Sequence, residues 1–229
     1  PIEIMPFTVT QNTHSNILIV RAAGSQNVFF KYVVFQGEMT INEYQSGTST
    51  IVGHPNSNGA MTVGAVPYTA TPAYGGTPAI ASFSSRGGTP VNGVVRNKPD
   101  FSGPDGVNTT VELGGPNIES DAFPNFFGTS AAAPHAAGVA ALIKSAQIKY
   151  ENSSSSPADI RNFLSNNSID MGTPGFDFES GYGFIQADQA ILSFANPKPE
   201  VSQISFIDTT QIPGTDSILI RINGNYFTP

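Results

Sequence analysis

Cysteine is absent from the 229 residues, which excludes disulfides and thiolate metal sites but leaves the cellular compartment open. Charge is scarce. Asp, Glu, Lys and Arg make up 12% of the chain, about half the usual share. The 10 basic residues are outnumbered by 17 acidic ones, for a formal net charge of −7. No Lys/Arg cluster occurs, and phosphate neutralisation needs clustered cations, so no nucleic-acid partner is expected. No apolar run reaches the ~18 residues of a membrane helix, so no membrane span is expected. No signal peptide is visible, the first residue is Pro1, and Tyr226–Pro229 continues a strand-like pattern. The expectation is a piece of a longer protein.

What is abundant is turn chemistry: 23 Gly and 18 Pro stand beside 39% hydrophobic residues. That composition reads as a loop-rich, compact chain, long enough for one medium domain and part of another. Residues 1–45 read as β. Phe7–Thr10 alternates, Ile17–Val20 is a short apolar strand ended by Ala22-Ala23-Gly24-Ser25, and Val28–Phe35 is β-branched and aromatic. With no helix between them, an antiparallel meander is expected. Buried-type strands follow at Ala60–Val66 and Ala79–Phe83. A slim, Ala-rich helix starts near Ser130, its apolar stripe Val139, Leu142, Ile143 and Ala146. A second helix is announced by Ser156 as N-cap, Pro157 as first residue and Asp159 in a capping-box position, with Ile160, Phe163 and Leu164 inward. A short helix is expected at Ala187–Phe194. Asn196–Pro199 reads as a linker, and Val201–Phe206 and Ser217–Ile222 as two strands around Pro213-Gly214.

The segment that carries chemistry is Phe127-Gly128-Thr129-Ser130-Ala131-Ala132-Ala133-Pro134-His135-Ala136-Ala137-Gly138. A serine nucleophile needs an exposed hydroxyl with donors nearby for the oxyanion of a tetrahedral intermediate. A helix N-terminus supplies unpaired N–H groups and the positive end of the macrodipole. Gly128 lets a substrate backbone pass closely. Taken alone, a Ser before an Ala-rich helix is usually a plain cap.

The whole segment resembles the nucleophile signature of the subtilase family, Gly-Thr-Ser-(small)-Ala-x-Pro-His-x-x-Gly. Four further stretches resemble that family in the expected order: Gly59–Val66, Ala81–Gly87, Lys98–Pro104 (with Gly103 where the family carries Ala) and Ser180–Ile185. The resemblance covers about residues 50–195. It implies an α/β fold with a subtilisin-like parallel sheet flanked by helices, present as a partial domain, with antiparallel β pieces at both ends. The boundaries it suggests are 1–45 for the end of an inserted β-domain, 46–195 for the C-terminal half of the catalytic domain, and 196–229 for a linker and the start of a small β-domain similar to an IPT/TIG module. It further implies a secreted bacterial serine endopeptidase acting on polypeptides, with Ser130 catalytic and Gly128 and Thr129 lining the substrate cleft.

In subtilases the chain order is Asp, His, Ser. None of the three histidines fits the family's His-Gly-Thr context. His135 lies five residues after Ser130, about 140° round a helix, and reads as structural. The triad Asp and His are therefore expected upstream of residue 1, and this chain alone is expected to be inactive. The oxyanion Asn has two readings. Either it too lies upstream, or Ile17–Gly24 is the family's strand-and-turn with Ser25 in place of Asn. A non-catalytic adhesion or scaffold module is the alternative function. An unrelated serine hydrolase is disfavoured, because Gly128–Ala132 lacks the second elbow glycine. No cofactor is expected. Subtilases often hold calcium on loops, so calcium stays open, but the spacing of the loop residues Asp100, Asp105, Asp121, Asp170 and Asp177 matches no familiar calcium loop; they read as solvated turns, and no metal ligand is assigned.

Overall fold

The computed structural model describes residues 5, 6, 8, 10–27, 30–34, 40–112, 115–195, 200–207 and 219–225. The chain forms two compact units, Pro1–Thr40 and Ile41–Pro229.

In the first unit, the described residues 10–27 and 30–34 carry no strand. The strand expected at Ile17–Val20 is irregular and exposed, with Leu18 at 85%. An apolar run becomes a strand only where a neighbour takes its N–H and C=O groups, and among the described residues Ile17–Val20 forms no bond of that kind. Phe7, Val9, Val28, Phe29 and Phe35, which belong to the other two expected strands, lie outside the described residues.

The second unit is built on a parallel pair, β1 (Val63–Pro67) and β4 (Phe101–Asp105). Their register runs from Val63 opposite Phe101 to Pro67 opposite Asp105. On its far side β4 continues to the segment at Phe184: Ser102 N–H donates to Gly183 O (2.8 Å) and Ile185 N–H to Ser102 O (3.0 Å). Ala79–Phe83, expected as a strand, is irregular and tied to β1 by Ala81 N–H donating to Ala65 O (2.8 Å). Two short antiparallel pairs complete the loops, β2 (Pro90–Val91) with β3 (Val94–Val95), and β5 (Val107–Asn108) with β6 (Asn125–Phe126).

Helix α1 (Thr129–Glu151) lies across β1 and β4. Its alanines allow a close approach: a Cβ on Gly103 of β4 would stand 3.0 Å from Ala132 O. Ala131, Ala132, Ala136, Ile143 and Ala146 face inward, whereas Leu142, expected in the stripe, is 55% exposed. Phe101, Ala136, Ile143, Leu164, Ile185 and Ala190 form the main core. Burying Phe101 completely is worth about 1.5–3 kcal/mol. Helix α2 (Pro157–Asn166) begins as its sequence dictates. Ser156 Oγ accepts from Asp159 N (3.2 Å), and Asp159 Oδ2 accepts from Ser156 N (2.9 Å). Leu164 of α2 is buried, and Ile160 and Phe163 pack beside it. Helix α3 (Ala187–Leu192) is shorter than expected.

A buried ion cluster joins these layers. Lys98 Nζ lies 2.7 Å from Asp100 Oδ2, and Arg161 Nε of α2 lies 2.8 Å from Asp100 Oδ1. Asp100 also accepts from Thr62 N (2.7 Å), just before β1. Beyond α3, β7 (Glu200–Phe206) pairs antiparallel with β8 (Ile220–Asn225); of the second expected strand, Ser217 and Ile218 lie outside the described residues. Val201, Ile204, Phe206 and Ile222 of this pair are exposed. Asn196–Pro199 and Pro213-Gly214 lie outside the described residues.

Candidate active site

The end of β4 and the start of α1 meet at one turn. After Asp105 the chain runs out along β5, returns along β6, and reaches Phe127-Gly128-Thr129-Ser130. Buried Asn125 holds this excursion together. Its Nδ2 donates to Gly106 O (2.9 Å), Asn108 Oδ1 (3.0 Å) and Glu119 Oε2 (2.7 Å), and its Oδ1 accepts from Ile118 N (2.7 Å). Glu119 also accepts from the Tyr68 hydroxyl, beyond the end of β1. That hydrogen bond pushes the Tyr68 phenol up to about 12 and holds the Glu119 carboxyl below its ordinary value.

Gly128 is the N-cap of α1, at φ 108° and ψ 166°, a backbone conformation that favours Gly. Its C=O accepts from Ala131 N (2.8 Å) and Ala132 N (3.3 Å), and its N–H donates to Asp105 Oδ1 (2.5 Å). Having no side chain, it caps nothing, so the N–H groups of Thr129 and Ser130 at the first two helical positions get no side-chain acceptor from it. Ser130 itself is exposed, and Thr129 and Gly128 are half-buried. The three residues singled out from the sequence therefore share one turn, with a free hydroxyl at the positive end of a 23-residue helix.

Pro134 is the sixth residue of α1. Because Pro has no N–H, the Ser130 carbonyl receives no i→i−4 bond from it. His135 Nδ1 sits 2.7 Å from Ala131 O. A carbonyl can only accept, so Nδ1 carries the proton and is engaged within its own helix. His54 starts a short 3₁₀ turn, and His14 lies in the first unit.

The loop carboxylates are used internally. Asp100 belongs to the buried ion cluster. Asp121 caps its own loop through Phe123 N (2.7 Å) and Asn108 Nδ2 (2.6 Å). Asp177 accepts from Glu179 N (2.8 Å) and Ser180 N (2.7 Å). Asp105 is not on a loop, as the sequence reading had it, but ends β4, and it is 2% exposed. Among the described residues no three His, Asp or Glu side chains gather as a metal site would require. A separate groove lined by Ser49, Ile80, Arg86, Met171, Phe178 and Ser180 does not include the Ser130 turn.

Ser130 stands exposed at the second position of α1, behind a glycine N-cap. The subtilase family model matches residues 3–183, and the chain belongs to that family. Fervidolysin of Fervidobacterium pennivorans is 31% identical over 215 residues, a match taking in 86% of this chain and 28% of fervidolysin. Its solved structure, of a keratinolytic enzyme related to subtilisin, superposes with a TM-score of 0.40 at 27% identity over 69% of this chain and 21% of that one. The prenylagaramide maturation protease PagA superposes with a TM-score of 0.45 at 21% identity over 63% of this chain and 46% of that one. The chain thus spans less than a third of fervidolysin's length.

Proposed function

We propose that this chain is the nucleophile-bearing part of a secreted serine endopeptidase. The observation that carries the reading is Ser130, exposed at the second position of α1 behind an N-cap without a side chain. Ser130 Oγ attacks the carbonyl carbon of a polypeptide, the Ser130 N–H receives the developing oxyanion, and Gly128 and Thr129 line the cleft. A general base takes the Oγ proton and returns it to the leaving amine. His135 does not suit that role, since it lies about 140° round the helix from Ser130 and its Nδ1 is committed to Ala131 O. The base and its orienting carboxylate are assigned to upstream chain, and the 229 residues alone are inactive.

The exposed apolar pair β7–β8 supports the reading of residues 196–229 as a linker and the beginning of a small β-domain, since a two-stranded hairpin alone is marginal in water. The functional test is casein hydrolysis by a longer chain that includes the upstream residues, compared with its Ser130→Ala variant. Turnover abolished by Ser130→Ala is expected. Turnover that survives the substitution rules the reading out.

A further inference from the structure

We propose that Asp105 is a positioning residue for the nucleophile turn: its buried carboxylate holds Gly128, and through Gly128 the backbone of Ser130, so the geometry at Ser130 follows the charge on Asp105. The proposal rests on the reading of Ser130 as nucleophile. Asp105 is the last residue of β4, fixed in register opposite Pro67 of β1, and is 2% exposed. Its Oδ1 accepts from Gly128 N at 2.5 Å, across a sequence gap of 23 residues. Gly128 is thereby held at both ends. Its N–H is bound by the sheet-borne carboxylate, and its C=O is bound by Ala131 N and Ala132 N in the first turn of α1. Ser130 lies between those two anchors. A glycine at φ 108° has little conformational preference of its own, so the hold has to come from outside, and a charged acceptor makes a stronger bond than a neutral one.

Burial opposes that charge. Desolvation raises the Asp105 carboxyl above its ordinary value, while the N–H groups of Gly128 and Gly106 act the other way. No charged side chain contributes to this balance. The titratable groups on the surrounding segments are Tyr68, next after the register partner Pro67, Glu119, bound to Asn125, and His135 on α1. The sign follows. The folded state holds the Asp105 proton more tightly than the unfolded chain does. Ionisation therefore costs stability as pH rises through the folded value, and the carboxylate at neutral pH grips Gly128 at that cost. An amide at position 105 would accept the same bond without a charge and without the titration.

The test uses the full 229-residue chain, labelled with ¹⁵N, as pH falls from about 7 to about 3. The Gly128 and Ser130 amide resonances are expected to move together, with a midpoint above the ordinary Asp value. Asp105→Asn removes that midpoint and keeps the Gly128 N–H protected from exchange, whereas Asp105→Ala loses the protection. A wild-type chain without the titration, or one whose titration persists in Asp105→Asn, overturns the proposal. In a longer chain carrying the upstream base, Asp105→Ala lowers kcat on the order of tenfold with KM little changed, and Asp105→Asn restores most of it. Unchanged kcat in Asp105→Ala also overturns it. A longer wild-type chain with no activity would count against the peptidase reading alone, leaving the resonance titration to judge Asp105.

Discussion

Replacing Asp100 by Ala tests whether the buried ion cluster holds the frame that presents Ser130. Lys98 and Asp100 side chains are 4% and 6% exposed and lie 2.7 Å apart. Removing the carboxylate leaves the Lys98 ammonium buried with the Ala60 carbonyl as its remaining partner among the described residues, and leaves Thr62 N–H without its side-chain acceptor. Breaking a buried pair from one side costs about 3–5 kcal/mol, a large part of a domain's total stability. The bond from Lys98 to Ala60 places the expectation at the lower end, about 3 kcal/mol. Arg161 offers an internal comparison. Its side chain is 30% exposed and shares the same carboxylate, so Arg161→Ala, which leaves the Lys98–Asp100 pair intact, is expected to cost about 1 kcal/mol. Urea unfolding of the 229-residue chain, followed by far-ultraviolet circular dichroism at low and high salt, measures both. The Asp100→Ala loss should be nearly independent of salt, because a buried pair is poorly screened. A loss below about 1 kcal/mol, or one equal to that of Arg161→Ala, would refute the reasoning.

Three further outcomes are expected. Ser156→Ala removes the acceptor for Asp159 N and costs about 1 kcal/mol in the same urea assay; the hydrogen bonds from Ser156 keep the Asp159 carboxyl below its ordinary value, so the remaining contribution is present above that ordinary value and fades as pH falls through the folded one. Tyr68 ionises at about 12 in a tyrosinate absorbance titration, and Glu119→Gln brings it back toward the ordinary phenol value. The stability tied to that proton is present below the ordinary phenol value and is lost as pH rises toward about 12; an unchanged Tyr68 titration in Glu119→Gln would contradict the assigned bond. Pro134→Ala restores a donor to the Ser130 carbonyl and should raise thermal stability by about 1–3 kcal/mol; a destabilised variant would show that the missing donor is not costly.

Local signals were the legible ones. Helix α2 could be read in full because Ser156, Pro157 and Asp159 specify its start without help from the rest of the chain. The Gly128–Gly138 motif reads as the head of a helix, and Ser130 is the second residue of α1. Leu142 was misplaced because its spacing fits a buried stripe, while the narrow inward face of α1 is filled by alanines instead. Ala79–Phe83 reads as a strand by composition, yet it is irregular, and pairing depends on partners that composition does not name. Asp105 reads as a solvated loop carboxylate because its spacing from the other aspartates suggests no site. Its role becomes visible only when β4 carries it into contact with Gly128, 23 residues later. The hub of Asn125, Glu119 and Tyr68 is invisible for the same reason: Glu119 and Tyr68 are 51 positions apart.

The central claim is that Ser130 is the nucleophile and that its base lies outside these residues. Intact-mass analysis after treatment with a fluorophosphonate tests it most directly, applied to a longer chain with the upstream residues, to its Ser130→Ala variant and to the 229-residue chain. The account predicts a single adduct, on Ser130, in the longer chain and none in the other two. Stoichiometric labelling of the 229-residue chain, or an adduct that survives Ser130→Ala, would contradict it.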